Sequence, residues 1–133
     1  HSKLFLNVRE KMSLCYYCAA RYNSNKGIMT VESGVETQNI EAAKNEILNQ
    51  LEEMKQGNFT EEELQSAKLS VCNSYRTIGD YLGSTESWYI SQIFMPDTQT
   101  AEEISKVTRE EIIAAAQKVT LDTIYRLVGT EEE

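Results

Sequence analysis

Three threonines in this chain each stand three residues before a glutamate, at the head of a run with apolar residues at helical spacing: Thr60 with Glu63, Thr100 with Glu103, and Thr108 with Glu111. In such a pair the threonine oxygen accepts from the backbone N–H three residues on, and the glutamate accepts from the threonine's own N–H. Two of the donors that every helix start leaves open are thereby satisfied together. Phe59 with Leu64, and Val107 with Ile112, stand where an apolar staple closes across the cap. These starts commit much of the second half to helix. Leu64, Ala67, Val71, Tyr75 and Ile78 carry the first of these helices to Gly79, a short helix starts at Thr100, and a longer one covers residues 108–118. Upstream, Ile40, Ala43, Ile47, Leu51 and Met54 form one apolar stripe over residues 38–56, with Gly57 placed to stop it. A further helix is expected over residues 84–94, carrying Trp88, Ile93 and Phe94 and ended by Pro96.

The first third reads differently. Leu4, Phe5, Val8 and Met12 give residues 2–12 a helical period, with Ser2 able to cap the start. Residues 14–22 are rich in aromatic and small apolar side chains and read as a strand covered on both faces. Turn formers ending in Gly27 lead into residues 28–35, where Met29, Val31, Ser33 and Val35 alternate with Thr30 and Glu32. This is a hairpin with a loop of about five residues. Residues 123–128 read as a last strand before a solvated tail of three glutamates. The order helix, hairpin, four helices, strand predicts an α+β fold, with a small, mostly antiparallel sheet and helices packed on one face. At 133 residues, positions 1–133 are expected to form a single domain.

A net charge of −8 argues against nucleic acid or an anionic membrane as the main partner, since phosphate contacts need clustered Lys and Arg. No apolar run approaches the length of a membrane span, about 18 residues. The opening residues do not read as a signal peptide. Three cysteines are too few for a disulfide scaffold, so a cytoplasmic, reducing compartment is expected.

The chemistry-bearing residues are sparse. Cys15-x-x-Cys18 offers a redox pair, or half of a zinc site with His1 and Cys72. Residues three apart in an extended strand point to opposite faces, however, which makes the pair two structural thiols. His1 is the only histidine, and neither H-E-x-x-H nor H-x-x-E-H occurs, so no metal site is expected in this chain. No Gly-rich phosphate loop is present. Adjacent carboxylates such as Glu61, Glu62 and Glu63 lie in a first helical turn, where the helix dipole accounts for them. Arg9 and Tyr16 remain. A helix-to-strand junction can bring a guanidinium fork and a phenol into one pocket, where they offer several donors to a carbonyl or an oxyanion.

The stretch of residues 2–16, SKLFLNVREKMSLCY, resembles the second homologous half of the M16 zinc peptidases, the insulinase, pitrilysin and mitochondrial processing peptidase family. Its pattern there is S-[KR]-L-F-x-x-[VL]-R-E-K-x-G-L-x-Y, and Ser13 stands at the usual glycine. Residues 59–68, FTEEELQSAK, and the segments AEEI at 101–104 and VTREEI at 107–112 are similar to later parts of the same half. The resemblance implies two α+β halves closed as a clamshell around a chamber, with zinc held only in the first half. It implies that this chain is the later part of the non-catalytic half, with no cofactor of its own. Its partners would be a zinc-bearing half or homologous subunit and a peptide substrate. No catalytic residue carries over, whereas Arg9 and Tyr16 carry over as substrate-binding residues, a role that suits donors able to stabilise a carbonyl oxygen as it becomes negative.

Two alternatives differ in class. One is a catalytically inactive structural or interaction domain of the same fold, as in family members that serve as respiratory-complex core subunits. The other is a free-standing acidic helper module.

Overall fold

The computed structural model describes residues 3–23, 26–94 and 100–129. His1, Ser2 as a cap, Pro96 as a stop and the glutamate tail fall outside them. The chain divides into two compact units, His1–Gln56 with Ala114–Glu133, and Gly57–Ile113. Among the described residues no helix is long and apolar enough to cross a membrane.

The first unit opens with a π-type helix over Phe5–Lys11. The hairpin follows as β1 (Cys15–Asn23) and β2 (Ile28–Val35), antiparallel and neighbours in a two-stranded sheet. A 3-10 turn at Thr37–Asn39 leads into helix α1 (Ile40–Gln56). The core of this unit is the meeting of one residue from each layer: Val8 of the opening helix, Cys18 of β1 and Ala43 of α1, all under 5% exposed. Leu4, Leu14, Cys15, Val35 and Ile47 pack around them, so the helices lie on one face of the hairpin. A polar clamp reinforces the seam. Asn7 donates to the buried Gln50 at 2.6 Å, and Gln50 donates in turn to Glu46 at 2.7 Å. Buried amides bonded in this way avoid the penalty of an unmet donor or acceptor.

Two expectations fail in this unit. β1 is not covered on both faces: only Cys18 is buried, and Tyr16, Tyr17 and Tyr22 are exposed. With two strands and helices on one side, the described residues supply no second covering layer. Residues 123–128 form no strand either. A strand exists only through a ladder partner, and β1 and β2 pair with each other alone among the described residues. Instead, Arg126 forms an ion pair with Glu41 of α1.

The second unit contains α2 (Glu61–Arg76), a 3-10 turn (Ile78–Asp80), α3 (Leu82–Phe94) and α4 (Ala101–Lys106), and α5 (Arg109–Gln117) begins in it. The capping boxes at Thr60 and Thr100 close with both reciprocal hydrogen bonds. At Thr108 the backbone N–H donates to Glu111 at 2.7 Å, and the Glu111 N–H returns a bond to the Thr108 hydroxyl at 3.2 Å. The bonds from the Thr108 backbone and hydroxyl hold the Glu111 carboxyl below its ordinary range. Phe59 and Leu64 are buried, as a staple requires. Cys72 donates to the Ala101 carbonyl at 3.2 Å and ties α2 to α4. Arg109 bonds the carbonyls of Gly57 and Phe59, and its guanidinium lies 4.3 Å over the Phe59 ring.

Gly57 has φ +76°, and a Cβ there would stand 2.7 Å from the Ile113 Cδ1. Gly57→Ala is therefore expected to cost about 2 kcal/mol, from left-handed strain plus the collision. Gly27→Ala, at φ +63° in open space, carries the strain alone and should cost about 1 kcal/mol. Urea midpoints of the two variants check this order.

Candidate functional site

The opening helix ends through its own backbone. The N–H groups of Met12 and Ser13 both donate to the Arg9 carbonyl, and the Leu14 N–H reaches the Val8 carbonyl at 3.2 Å. Ser13 adopts φ +51°, the left-handed region that favours glycine. This reverses the chain sharply, turns Leu14 into the core cluster and starts β1 directly beneath the helix. Within the helix, the Arg9 guanidinium stacks 4.6 Å over the Phe5 ring and lies 3.9 Å from Glu10. Its side chain remains 42% exposed, so it is oriented without being consumed by a buried pair. π-type turns of this kind recur at functional sites because they displace a side chain from the regular helical position.

Tyr16 owes its placement to a β-bulge. Cys15 pairs with Val35 and Tyr17 with Gly34, so Tyr16 is an extra residue in β1 with no partner of its own. Such an insertion bends the strand and re-aims a side chain. Two features on β2 hold it. The Ser33 hydroxyl donates to the Tyr17 carbonyl at 2.9 Å, and the Tyr17 ring lies over Gly34, where a Cβ would come within 2.6 Å of it. Tyr16 points out, 69% exposed, and its hydroxyl donates to Glu36 at 3.3 Å. Glu36 also accepts from Gln38 at 2.8 Å.

Arg9 and Tyr16, proposed from the sequence to share a pocket, line one open groove of about 390 Å³ together with Glu10, Ser13, Glu36 and Asn39. The groove offers a guanidinium and a phenol as donors, and the two glutamates and the Asn39 carbonyl as acceptors. Glu10 belongs to the R-E-K of the opening motif, whereas Glu36 and Asn39 carried no signal in the sequence. Glu36 follows a strand and Asn39 precedes a helix, and only the bulge and the turn bring them beside Tyr16.

The cysteine pair departs from the sequence reading. Cys15 stands opposite Val35 and Cys18 opposite Ser33. Val35 and Ser33 are two apart on β2 and share a face, so Cys15 and Cys18 share a face too. Strict alternation put them on opposite sides, and the extra residue at the bulge cancels it. Among the described residues no group of three or more His, Cys, Asp or Glu converges as a metal site.

The profile of the peptidase M16 inactive domain matches residues 1–71 of this chain. A protein of Bacillus subtilis (strain 168), described as "Probable inactive metalloprotease YmfF", is 43% identical over 135 residues, which cover 98% of this chain and 32% of that protein. A crystal structure of a conserved protein from Enterococcus faecalis V583 superimposes with a TM-score of 0.77 at 34% identity, over 88% of this chain and 29% of that one. The chain thus spans about a third of the length of these relatives.

The left-handed φ at position 13 yields a direct expectation. Ser13→Gly removes the Cβ from a strained position and should stabilise the protein by about 0.5–1 kcal/mol. Ser13→Val should destabilise it by more than that, because a β-branched side chain resists positive φ. Denaturation midpoints of the two variants check both signs.

Proposed function

Because this chain belongs to the peptidase M16 inactive-domain family, we propose that it is the later part, as one domain, of the non-catalytic half of an M16-like metalloendopeptidase, where it binds peptide and lines the chamber. The observation that carries this reading is the groove at the helix–bulge junction, where two separately built devices deliver Arg9 and Tyr16 to one place. A peptide laid in the groove meets Arg9 as a fork for its carbonyls. The Tyr16 hydroxyl can exchange its long bond to Glu36 for one to a peptide carbonyl, since a 3.3 Å contact at an exposed site gives up little. Zinc belongs, in this reading, to the other half or to a homologous subunit, which would supply the ligands and the activated water. The three free thiols suit a cytoplasmic setting.

A second reading has a specific observation in its favour. The Bacillus subtilis relative is described as a probable inactive metalloprotease, which fits an assembly of the same fold that has lost hydrolysis. In that case the groove either still binds peptide without cleavage or serves only as structure.

The test is peptide binding to the natural protein that contains this chain, measured by fluorescence anisotropy with unstructured peptides, beside its zinc content. Arg9→Ala is expected to weaken binding about tenfold, and Tyr16→Phe by a few fold, in line with a charged and a neutral hydrogen bond. Zinc content should not change in either variant. Unaltered affinity in Arg9→Ala would overturn the substrate-binding role. A wild-type protein that binds no peptide would favour the structural reading.

A further inference from the structure

The thiol pair in β1 has no part in the proposed peptide groove chemistry, and its geometry is unusual for a strand. In a regular strand, residues three apart lie about 10 Å from each other and on opposite faces. The bulge changes both quantities. Across it, Cys15 and Cys18 stand opposite Val35 and Ser33, two residues apart on the partner strand, a spacing of about 7 Å in a regular strand. That lies just beyond the Cα separations that disulfides accept, about 4.4–6.8 Å. Both side chains sit against the same cluster of Val8 and Ala43. Both thiols are free.

Their surroundings differ in a useful way. Cys15 is half-buried and lines the groove, whereas Cys18 is 4% exposed. Burial, with Cys15 beside it, pushes the Cys18 thiol up, partly opposed by a hydrogen bond with Ser33. An oxidant entering from the groove therefore reaches the half-buried Cys15 before the buried Cys18. Cys72 bonds to the Ala101 carbonyl in the other unit.

We propose that Cys15 and Cys18 form an oxidisable dithiol that a hydroperoxide closes to an intrachain disulfide across the bulge. In the first step the Cys15 sulfur attacks one peroxide oxygen and the O–O bond breaks. Cys15 becomes the sulfenic acid, and the other oxygen leaves as water or alcohol with the thiol proton. In the second step the Cys18 sulfur attacks the Cys15 sulfur, the S–OH bond breaks, and water leaves with the Cys18 proton. The dithiol loses two electrons and two protons, and the peroxide gains them. Closure contracts β1 at Tyr16, so the oxidised form alters the groove at its phenol. The inference rests on the hairpin register and holds whether or not the groove binds peptide.

Tryptic mass spectrometry reads this out cleanly, because peptide 12–21 holds Cys15 and Cys18 and excludes Cys72. The natural protein that contains this chain is treated with hydrogen peroxide, denatured, alkylated with iodoacetamide and digested. The expected result is loss of most of the doubly alkylated peptide, and gain of a form lighter than the reduced peptide by two hydrogens that regains alkylation after reduction. In Cys18→Ala the Cys15 sulfenic acid should persist and be trapped by dimedone, and in Cys15→Ser the Cys18 thiol should remain alkylatable. The proposal is overturned if peptide 12–21 stays doubly alkylated under peroxide. It is equally overturned if Cys15 is over-oxidised or joined to another chain while Cys18 remains a thiol.

Discussion

A hairpin in which one strand carries an extra residue has to bulge, and most of what distinguishes this chain follows from where it does so. The insertion falls between Cys15 and Tyr17, directly after the left-handed turn at Ser13. Before the bulge, Leu14 and Cys15 face the core, and after it Cys18 returns to the same face. Tyr16 is thereby expelled from the ladder toward solvent. Ser33 and Gly34 hold the distortion from the neighbouring strand, one by a hydrogen bond and the other by having no side chain beneath the Tyr17 ring. A regular register would keep the hairpin and lose the groove.

The helix before the bulge is equally specialised. Its π-type winding, the stacking of Arg9 on Phe5 and the bond from Asn7 to Gln50 fix a short segment that has little helical propensity to spare. Glycine at position 13 in the M16 pattern now has a physical reason: the backbone there is left-handed, and serine accepts the position at a small cost. The motif that carries the family resemblance is thus a recipe for a turn, with Arg9 on one side and Tyr16 on the other.

The helices were legible in the sequence because their signals are local. A threonine and a glutamate three apart specify a start whatever lies around them, and α2, α4 and α5 begin where those pairs stand. The hairpin was legible too, with β2 observed over the expected residues. What failed depends on distant partners. Residues 123–128 have strand composition and no strand to join among those described. The faces of Cys15 and Cys18 were misjudged because a bulge shifts register by one residue, and no residue type in β1 announces it. Arg9 and Tyr16 could be paired from their positions about a junction. Glu36 and Asn39 could not, since they reach the groove only through the folded turn.

The proposed role of this chain is to present hydrogen-bond donors at a junction of helix and bulged strand, with no metal-ligating cluster among the described residues. Hydrogen–deuterium exchange of the natural protein, with and without a saturating unstructured peptide, tests that claim most directly. The account predicts slowed exchange in residues 5–18 and 33–39, which build the groove, while the helices of the Gly57–Ile113 unit keep their rates. Protection confined to that second unit, or none in the groove segments when peptide is bound, would contradict it.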